Sequence, residues 1–484
     1  MANVSFSLPS ELTPYASKVA SYSNYLNFHS GDGTPVTDWA QQYLPELYNQ
    51  EVERYGNRSI SSFLRMVGAE MPMASDQVIW SEQGRLHLAY NGEINPVTGL
   101  VDTITDIDSG SSVASAVRKG ATIVAVVNNV VFKAIVSQGI ESETAGYTTG
   151  AKLDIKPYGA QNVDDLSGIA TTDNQAIKFF VYGSEFGKGT GKMNGSIEPK
   201  FLSLSNSPMI IKDHFEINGS DTAQIGWIEV SGESGQGGYL WYLKSQGDTT
   251  KRFEDYLEMA MVEAEKAAVD ANTATANSEV GVAGSEGLLS AIGNRGMVSA
   301  DLFDGTPDIN DFDDLIAKLD EQGSISENML FINRASNLQI DDLLAGLNPH
   351  NTGGLSFGAF NNSSDMALNL GFNGFQRGGY EFYKTDWKYL NDKSTRGNIG
   401  GLKGVLVPAG TSSVYDQQLG KNVRRPFLHV RYRASEADDR KLKTWVTGSV
   451  GGPTSSDLDK MEVHYLSERC LVVQAANNFV RFDD

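Results

Sequence analysis

The stretch TTKRFEDYLEMAMVEAEKAAVDA, residues 249–271, is the clearest helical pattern in the chain. Phe253, Tyr256, Leu257, Ala260, Met261, Ala264, Ala267, Ala268 and Ala271 recur at three-and-four spacing, which puts them on one helix face. Glu254, Glu258, Glu263, Glu265 and Lys266 fill the other faces, and Asp248 or Thr249 can cap the N-terminus. At roughly 1.5 Å per residue the helix runs on the order of 35 Å, too long to be only a crossover in a small α/β unit. Its apolar stripe needs a covering layer. The runs Gly404 to Pro408, Phe427 to Arg433, Met461 to Tyr465 and Leu471 to Val480 read as strands able to supply one. Shorter helices at Asp311 to Asp320 and Ile340 to Leu347, with a strand at Met329 to Asn333, make the pattern a mixed α+β one.

Upstream of the helix, Glu70 to Leu88 reads as one long strand, with Val78 and Trp80 on one face and Gln77, Ile79, Ser81 and Gln83 on the other. From Ala89 to Lys200 the chain turns to short β-rich runs separated by Gly, Asn, Asp and Thr, namely Ala121 to Val136, Ala151 to Pro157 and Ile177 to Tyr182. This spacing predicts a compact all-β insertion, a small barrel. The most apolar run, Ala121 to Val136, contains Asn128, Asn129 and Lys133 and is too short to span a membrane. It reads as two strands, Ile123 to Val127 and Val130 to Val136, joined by an Asn-Asn turn that tolerates positive φ. Met209 to Ile211 and Ile225 to Val230 resume longer strands beside the one that left at Trp80. Residues 1 to about 50 look like an extended arm, with a short helical candidate from Thr37 to Tyr55.

The length of 484 residues allows about three structural units. Hydrophobic residues at 40% and charged residues at 20% exclude a mainly disordered chain. Lys and Arg total 39 against 60 Asp and Glu, a formal net charge of -21, so most of the surface repels nucleic acid and anionic membrane. Cys470 has no partner for a disulfide and no zinc-type neighbours, which fits folding in a reducing compartment. Met1 to Ser10 has no secretory pattern, so the protein is expected to mature where it is made.

Chemical motifs are sparse. Gly187-Lys188 and Gly191-Lys192 lack both the preceding glycine geometry and the following Ser or Thr of a phosphate loop. Asp106-Ile107-Asp108-Ser109-Gly110 echoes the start of a calcium loop without its later ligands. The six histidines are scattered, with no pair at helical spacing. The pairs Asp313-Asp314 and Asp341-Asp342 point in different directions on a helix and suit its charged N-terminal turn better than paired-carboxylate catalysis. The expectation is no catalytic residue, no cofactor and no metal.

Four stretches carry a resemblance: Met71 to Arg85, Gly219 to Trp227, the acidic helix from Asp255 to Lys266, and Leu466 to Val473. Together they resemble the major capsid protein of tailed phages, closest in texture to crAss-like and related marine phages. The element order resembles the Hong Kong 97-type capsid fold. That implies an N-terminal arm at 1–60, E-loop strands at 61–88 and 201–240, and an inserted all-β domain at 89–200. A peripheral domain would take 241–300 and 461–484, with the spine helix at 249–271, and an axial domain with returning strands would take 301–460. The resemblance further implies a structural, non-enzymatic subunit of the virion capsid, made and assembled in the host bacterial cytoplasm. It would self-assemble into hexamers and pentamers of an icosahedral shell, enclose double-stranded DNA without sequence-specific binding, and touch no membrane. A portal is an implied partner. Because no long charged helical segment precedes the arm, a separate scaffolding protein is expected.

Subunit contacts are then expected at Trp80 on a projecting strand, with Arg58, Arg65 and Arg85 near its base. A second contact pairs two patches of opposite sign. Residues 421–443 hold eight basic residues against three acids, and 301–345 hold eleven acids against Lys318 and Arg334. Alternation on the strand Leu428 to Arg433 turns His429, Arg431 and Arg433 to one face, and this row is expected to meet Asp313 and Asp314 of the adjacent subunit. Two competing readings remain at this point: a virion-surface protein binding glycans through its β-domain, without a shell-forming role, and a hydrolase using scattered acids.

Overall fold

The computed structural model describes residues 63, 69–108, 110–139, 152–169, 173–191, 201–220, 229–231, 237–267, 283–300, 302–303, 308–346, 373–416, 421–450 and 454–483. The chain forms two units, one from 1–80 and 205–484 and one from 81–204.

The long strand expected at 70–88 is two. β1 (Ala69–Met73) and β2 (Val78–Gln83) belong to different sheets. Between them the chain bends at Ser75-Asp76, where the Ser75 hydroxyl accepts a hydrogen bond from the Gln77 amide at 3.3 Å. A serine turned on its own backbone in this way interrupts a ladder.

The second unit is a closed six-stranded barrel of β3 (Ala89–Asn95), β4 (Leu100–Thr105), β5 (Ala121–Val127), β6 (Val130–Gln138), β7 (Leu153–Pro157) and β8 (Gln175–Ser184), in the order β3-β4-β7-β6-β5-β8 with β8 paired back to β3. Closure removes the free edges that a small sheet would otherwise present. Strict alternation fills the interior: Ile123, Ala125 and Val127 from β5, Ala134 and Val136 from β6, and Leu153 and Ile155 from β7 are all buried. Asn128 and Asn129 turn β5 into β6 with φ of 48° and 64°, the left-handed pair that matches the twist of a two-residue hairpin.

β9 (Phe201–Asn206), which pairs with β2, is followed by β10 (Met209–Asn218) and a short hairpin of β11 (Glu229–Ser231) and β12 (Gly237–Tyr239). α1 follows as Leu240–Glu263. It starts nine residues before the expected boundary and stops short of it, so Asp248 and Thr249 lie inside the helix and cap nothing. Ala264 to Ala267 have left it, and Ala268 to Ala271 lie outside the described residues. The elements that follow are α2 (Leu288–Arg295), β13 (Met297–Ser299), α3 (Ile309–Glu321), β14 (Glu327–Ile332), α4 (Arg334–Gly346), β15 (Asn373–Arg377), β16 (Tyr380–Asp386), α5 (Lys388–Asn391) and β17 (Leu402–Pro408). The chain ends with β18 (Thr411–Asp416), β19 (Lys421–Pro426), β20 (Leu428–Arg433), β21 (Lys443–Gly448), β22 (Lys460–Val473) and β23 (Val480–Asp483).

Two sheets organise this unit. One is β1-β20-β22-β10, with β21 also on β22; the other is β13-β23-β17-β14-β16-β15. Each mixes strands from 301–460 with strands from the flanking ranges. β22 spans fourteen residues and holds β10 on one edge and both β20 and β21 on the other. α1 covers the sheet through Phe253 and Leu257, which pack with Ile217, Met461, Val463 and Tyr465. Tyr256, expected in that stripe, is 45% exposed, while Glu258, expected on a solvated face, is buried and accepts the Phe63 amide at 3.1 Å. Phe63 stacks on Trp387 and meets Phe331 edge-on, with centroids at 4.6 and 4.4 Å. The second sheet buries Phe312, Leu315 and Leu319 of α3 against Phe375, Phe382 and Phe482. Among the described residues no helix is long and apolar enough to cross a membrane.

Candidate interaction surface

β20 lies between β1 and β22, and its first half is covered on both faces: Leu428, His429 and Val430 are all buried. This corrects the expected face. His429 is part of the interior, its Nδ1 3.1 Å from the Pro426 carbonyl, and only Arg431 and Arg433 reach partial exposure.

Both arginines find partners in their own chain. One Arg433 nitrogen lies 2.5 Å from Asp76 and 2.9 Å from Glu468. Arg440 approaches the other Glu468 oxygen at 2.9 Å. The Glu468 and Asp76 hydrogen bonds, in that order, hold the Arg433 guanidinium above its ordinary range. Arg431 donates to the Pro72 carbonyl at 3.4 Å. Beside them Glu70 takes Lys441 and, at 3.4 Å, Arg469. Arg469 also donates to the Ser467 hydroxyl and the Lys441 carbonyl, each at 2.8 Å; burial lowers its pKa, and the charges of Glu70 and Glu254 oppose that. The arginine row thus stitches β1, β20, β22 and the 434–443 loop into one body.

The acidic side is engaged too. Asp313 on α3 receives two bonds of 2.5 Å from Arg377, which hold its carboxyl below the usual carboxylate range. Asp308 and Asp311 form a reciprocal capping box at the start of the same helix, whereas Asp313-Asp314 and Asp341-Asp342, expected in an N-terminal turn, lie inside α3 and in the second half of α4. Asp314 stays exposed. Arg433 and Asp313 therefore meet in-chain partners, Asp76 with Glu468 and Arg377 respectively, so the expected pairing between subunits would have to compete with these.

Trp80 is 7% exposed, with the Arg295 guanidinium 5.8 Å over its ring, so its indole belongs to its own unit. Arg85 pairs with Asp108 at 3.1 Å on the barrel, in the segment that echoes a calcium loop. Arg58 and Arg65 lie outside the described residues.

Sequence reasoning missed Glu468, the hub of the network. Its signal was an acid followed by Arg469 inside the apolar strand Met461 to Val473, where a charge survives only if paired. It also missed a polar cleft of about 400 Å³ lined by Glu263, Arg396, Arg481 and Asp483. There Glu263 accepts from Tyr389 at 2.5 Å and Arg396 at 3.0 Å; burial, then the carboxylate, raises the Tyr389 phenol pKa. Cys470, on the buried half of β22, is pushed up to about 12 by burial and stays a thiol.

No family model matches the sequence, and no curated protein does. Among solved structures the chain is similar to one from Microbacterium phage Oxtober96, at 8% identity over 91% of this chain and 95% of the other, with a TM-score of 0.37. It is also similar to one from Gordonia phage Cozz, at 9% identity over 95% and 98%, with a TM-score of 0.36. A third is the capsid of a native GTA particle, at 10% identity over 92% and 96%, with a TM-score of 0.35.

Proposed function

We propose that this chain is the major capsid protein of a tailed phage, a Hong Kong 97-type subunit that assembles as hexamers and pentamers into an icosahedral shell around double-stranded DNA. The observation that carries this reading is a convergence. Met71 to Arg85 supplies most of β1 and all of β2, Asp255 to Lys266 the last nine residues of α1, and Leu466 to Val473 the second half of β22. Three of the four stretches that resemble such subunits, far apart in sequence, thus bring β1, β22 and the helix packed on their sheet into one unit.

The build suits the work. A shell subunit must keep its shape while neighbours pull on different faces, and heterologous contacts around a ring require two dissimilar patches held rigidly apart. A 24-residue helix laid on a sheet whose central strand is 14 residues long gives such stiffness. A net charge of -21 lets a lining release packed DNA. A portal, a separate scaffolding protein, location in the virion and assembly in the host cytoplasm belong to the same proposal. So do the roles of arm, E-loop, peripheral and axial domain for the ranges given above. Negative-stain electron microscopy of the purified protein tests it: rings, pentamers, sheets or closed shells are expected, and persistent monomers at high concentration would count against it.

A further inference from the structure

The outer face of the barrel carries rings and cations together. Lys133, Val124 and Phe180 sit side by side on β6, β5 and β8, as do Val131, Val126 and Lys178 in the neighbouring row. Tyr158, whose amide bonds the Lys133 carbonyl at 3.0 Å, extends the first row, and Tyr182 lies two residues along β8 from Phe180 on the same face. Phe180, Tyr158 and Tyr182 are each about half exposed, at 49%, 50% and 50%. The Tyr158 hydroxyl is fixed by Glu185 at 2.5 Å, a bond that with burial pushes the phenol up to about 12. Lys133 and Lys178 are exposed and meet no carboxylate among the described residues.

We infer that this face binds an acidic polysaccharide, a polymer of pyranose rings bearing carboxylates. The apolar C–H face of a pyranose lies flat on an aromatic ring, and two rings on β8 with Tyr158, just past β7 and held by its amide and hydroxyl bonds, form a platform that costs little to order. The two free lysines supply the charge. In a chain of net charge -21, most of whose surface repels a polyanion, these two cations stand beside the rings and outweigh Glu185, the carboxylate tied to the Tyr158 hydroxyl. A protein partner fits less well, because a dry interface over this face would bury two ammonium groups that each need a matched carboxylate. A hydrated acidic polymer brings a carboxylate on each sugar and leaves the lysines wet. The outside of a closed barrel is convex, which suits an extended chain better than an enclosed small molecule.

The full-length protein is tested on beads coated with polygalacturonate, with neutral dextran and with polyglutamate, so that ring and charge are presented together and apart. Retention on polygalacturonate is expected to exceed that on either other polymer by about tenfold or more. Phe180→Ala with Tyr182→Ala, and separately Lys133→Gln with Lys178→Gln, are each expected to reduce it about tenfold with an unchanged circular dichroism spectrum. Both lysines are exposed, so that pair reports even if the aromatic pair perturbs folding. Equal retention on polyglutamate, retention that survives the aromatic pair in a folded protein, or no retention on polygalacturonate would each overturn the inference. Binding needs no assembled shell, so a protein that stays monomeric and still binds separates this result from the capsid reading.

Discussion

Arg433 divides one guanidinium between two carboxylates in opposite circumstances: the Asp76 side chain is 88% exposed and that of Glu468 is 6% exposed. Solvent screens the first pair and little screens the second, so Asp76→Asn is expected to cost under about 0.5 kcal/mol and Glu468→Gln about 1–3 kcal/mol. Urea midpoints of the two variants at neutral pH check the contrast. Acid acts through Asp313. Its folded carboxyl is depressed by Arg377, so its contribution is complete above the ordinary value of 3.8 and fades as pH falls through the lower folded value. Asp313→Asn should therefore leave the pH-dependence of the urea midpoint flatter below about pH 4, while above it the midpoint sits slightly lower than in the parent. The sequence displayed the excess of arginine and of aspartate but not their partners. Alternation alone sends His429 and Arg431 to one face, and it cannot tell that β20 is sandwiched early and opens to solvent late.

The Asn128-Asn129 turn was legible to the residue, because two asparagines between alternating apolar runs have few other uses, while its strands reach two residues further at each outer end than expected. Asn129→Val, which forces a branched side chain to φ near 64°, is expected to cost about 1–2 kcal/mol, and Asn129→Gly close to nothing; thermal melts followed by circular dichroism would read both. α1 was legible as a helix and misread at its ends. Asp248-Thr249 looks like a start signal and Gly247 like a break, yet the Thr250 hydroxyl donates back to the Gln246 carbonyl at 3.0 Å, the local bond that lets threonine stay in a helix. One glycine costs about 1 kcal/mol, which tertiary packing overrides. Neighbouring positions on α1 should respond in opposite ways. Leu257→Asp puts a charge among Phe253, Met461 and Tyr465 and is expected to abolish soluble, assembly-competent protein, whereas Tyr256→Asp on the open side should shift stability by less than about 0.5 kcal/mol. Soluble yield and electron microscopy of both would decide whether this face of the helix is the covered one.

At the scale of the whole molecule, the sheet topology was the least legible layer, since β1 beside β20 and β10 beside β22 are pairings between residues that no local pattern links. The barrel differs, because its contacts are made within 81–204. That segment expressed alone is expected to give a β-type circular dichroism spectrum and a single cooperative melt; a disordered spectrum would mean that it needs the rest of the chain. The role of β22 carries a consequence for synthesis. Everything β22 unites, β10, β20 and β21, is made before it, and the strand is finished only at Val473. At about 5–20 residues per second, the ribosome needs on the order of 15–50 seconds to pass from the end of the barrel segment to that strand. During that interval β10 and the apolar stripe of α1 are without the strand that completes their sheet, so a nascent chain exposes sticky surface until β22 follows. Temporal order then does what a timer would: the part that can fold early does so, and the stiff body closes only once β22 has been made.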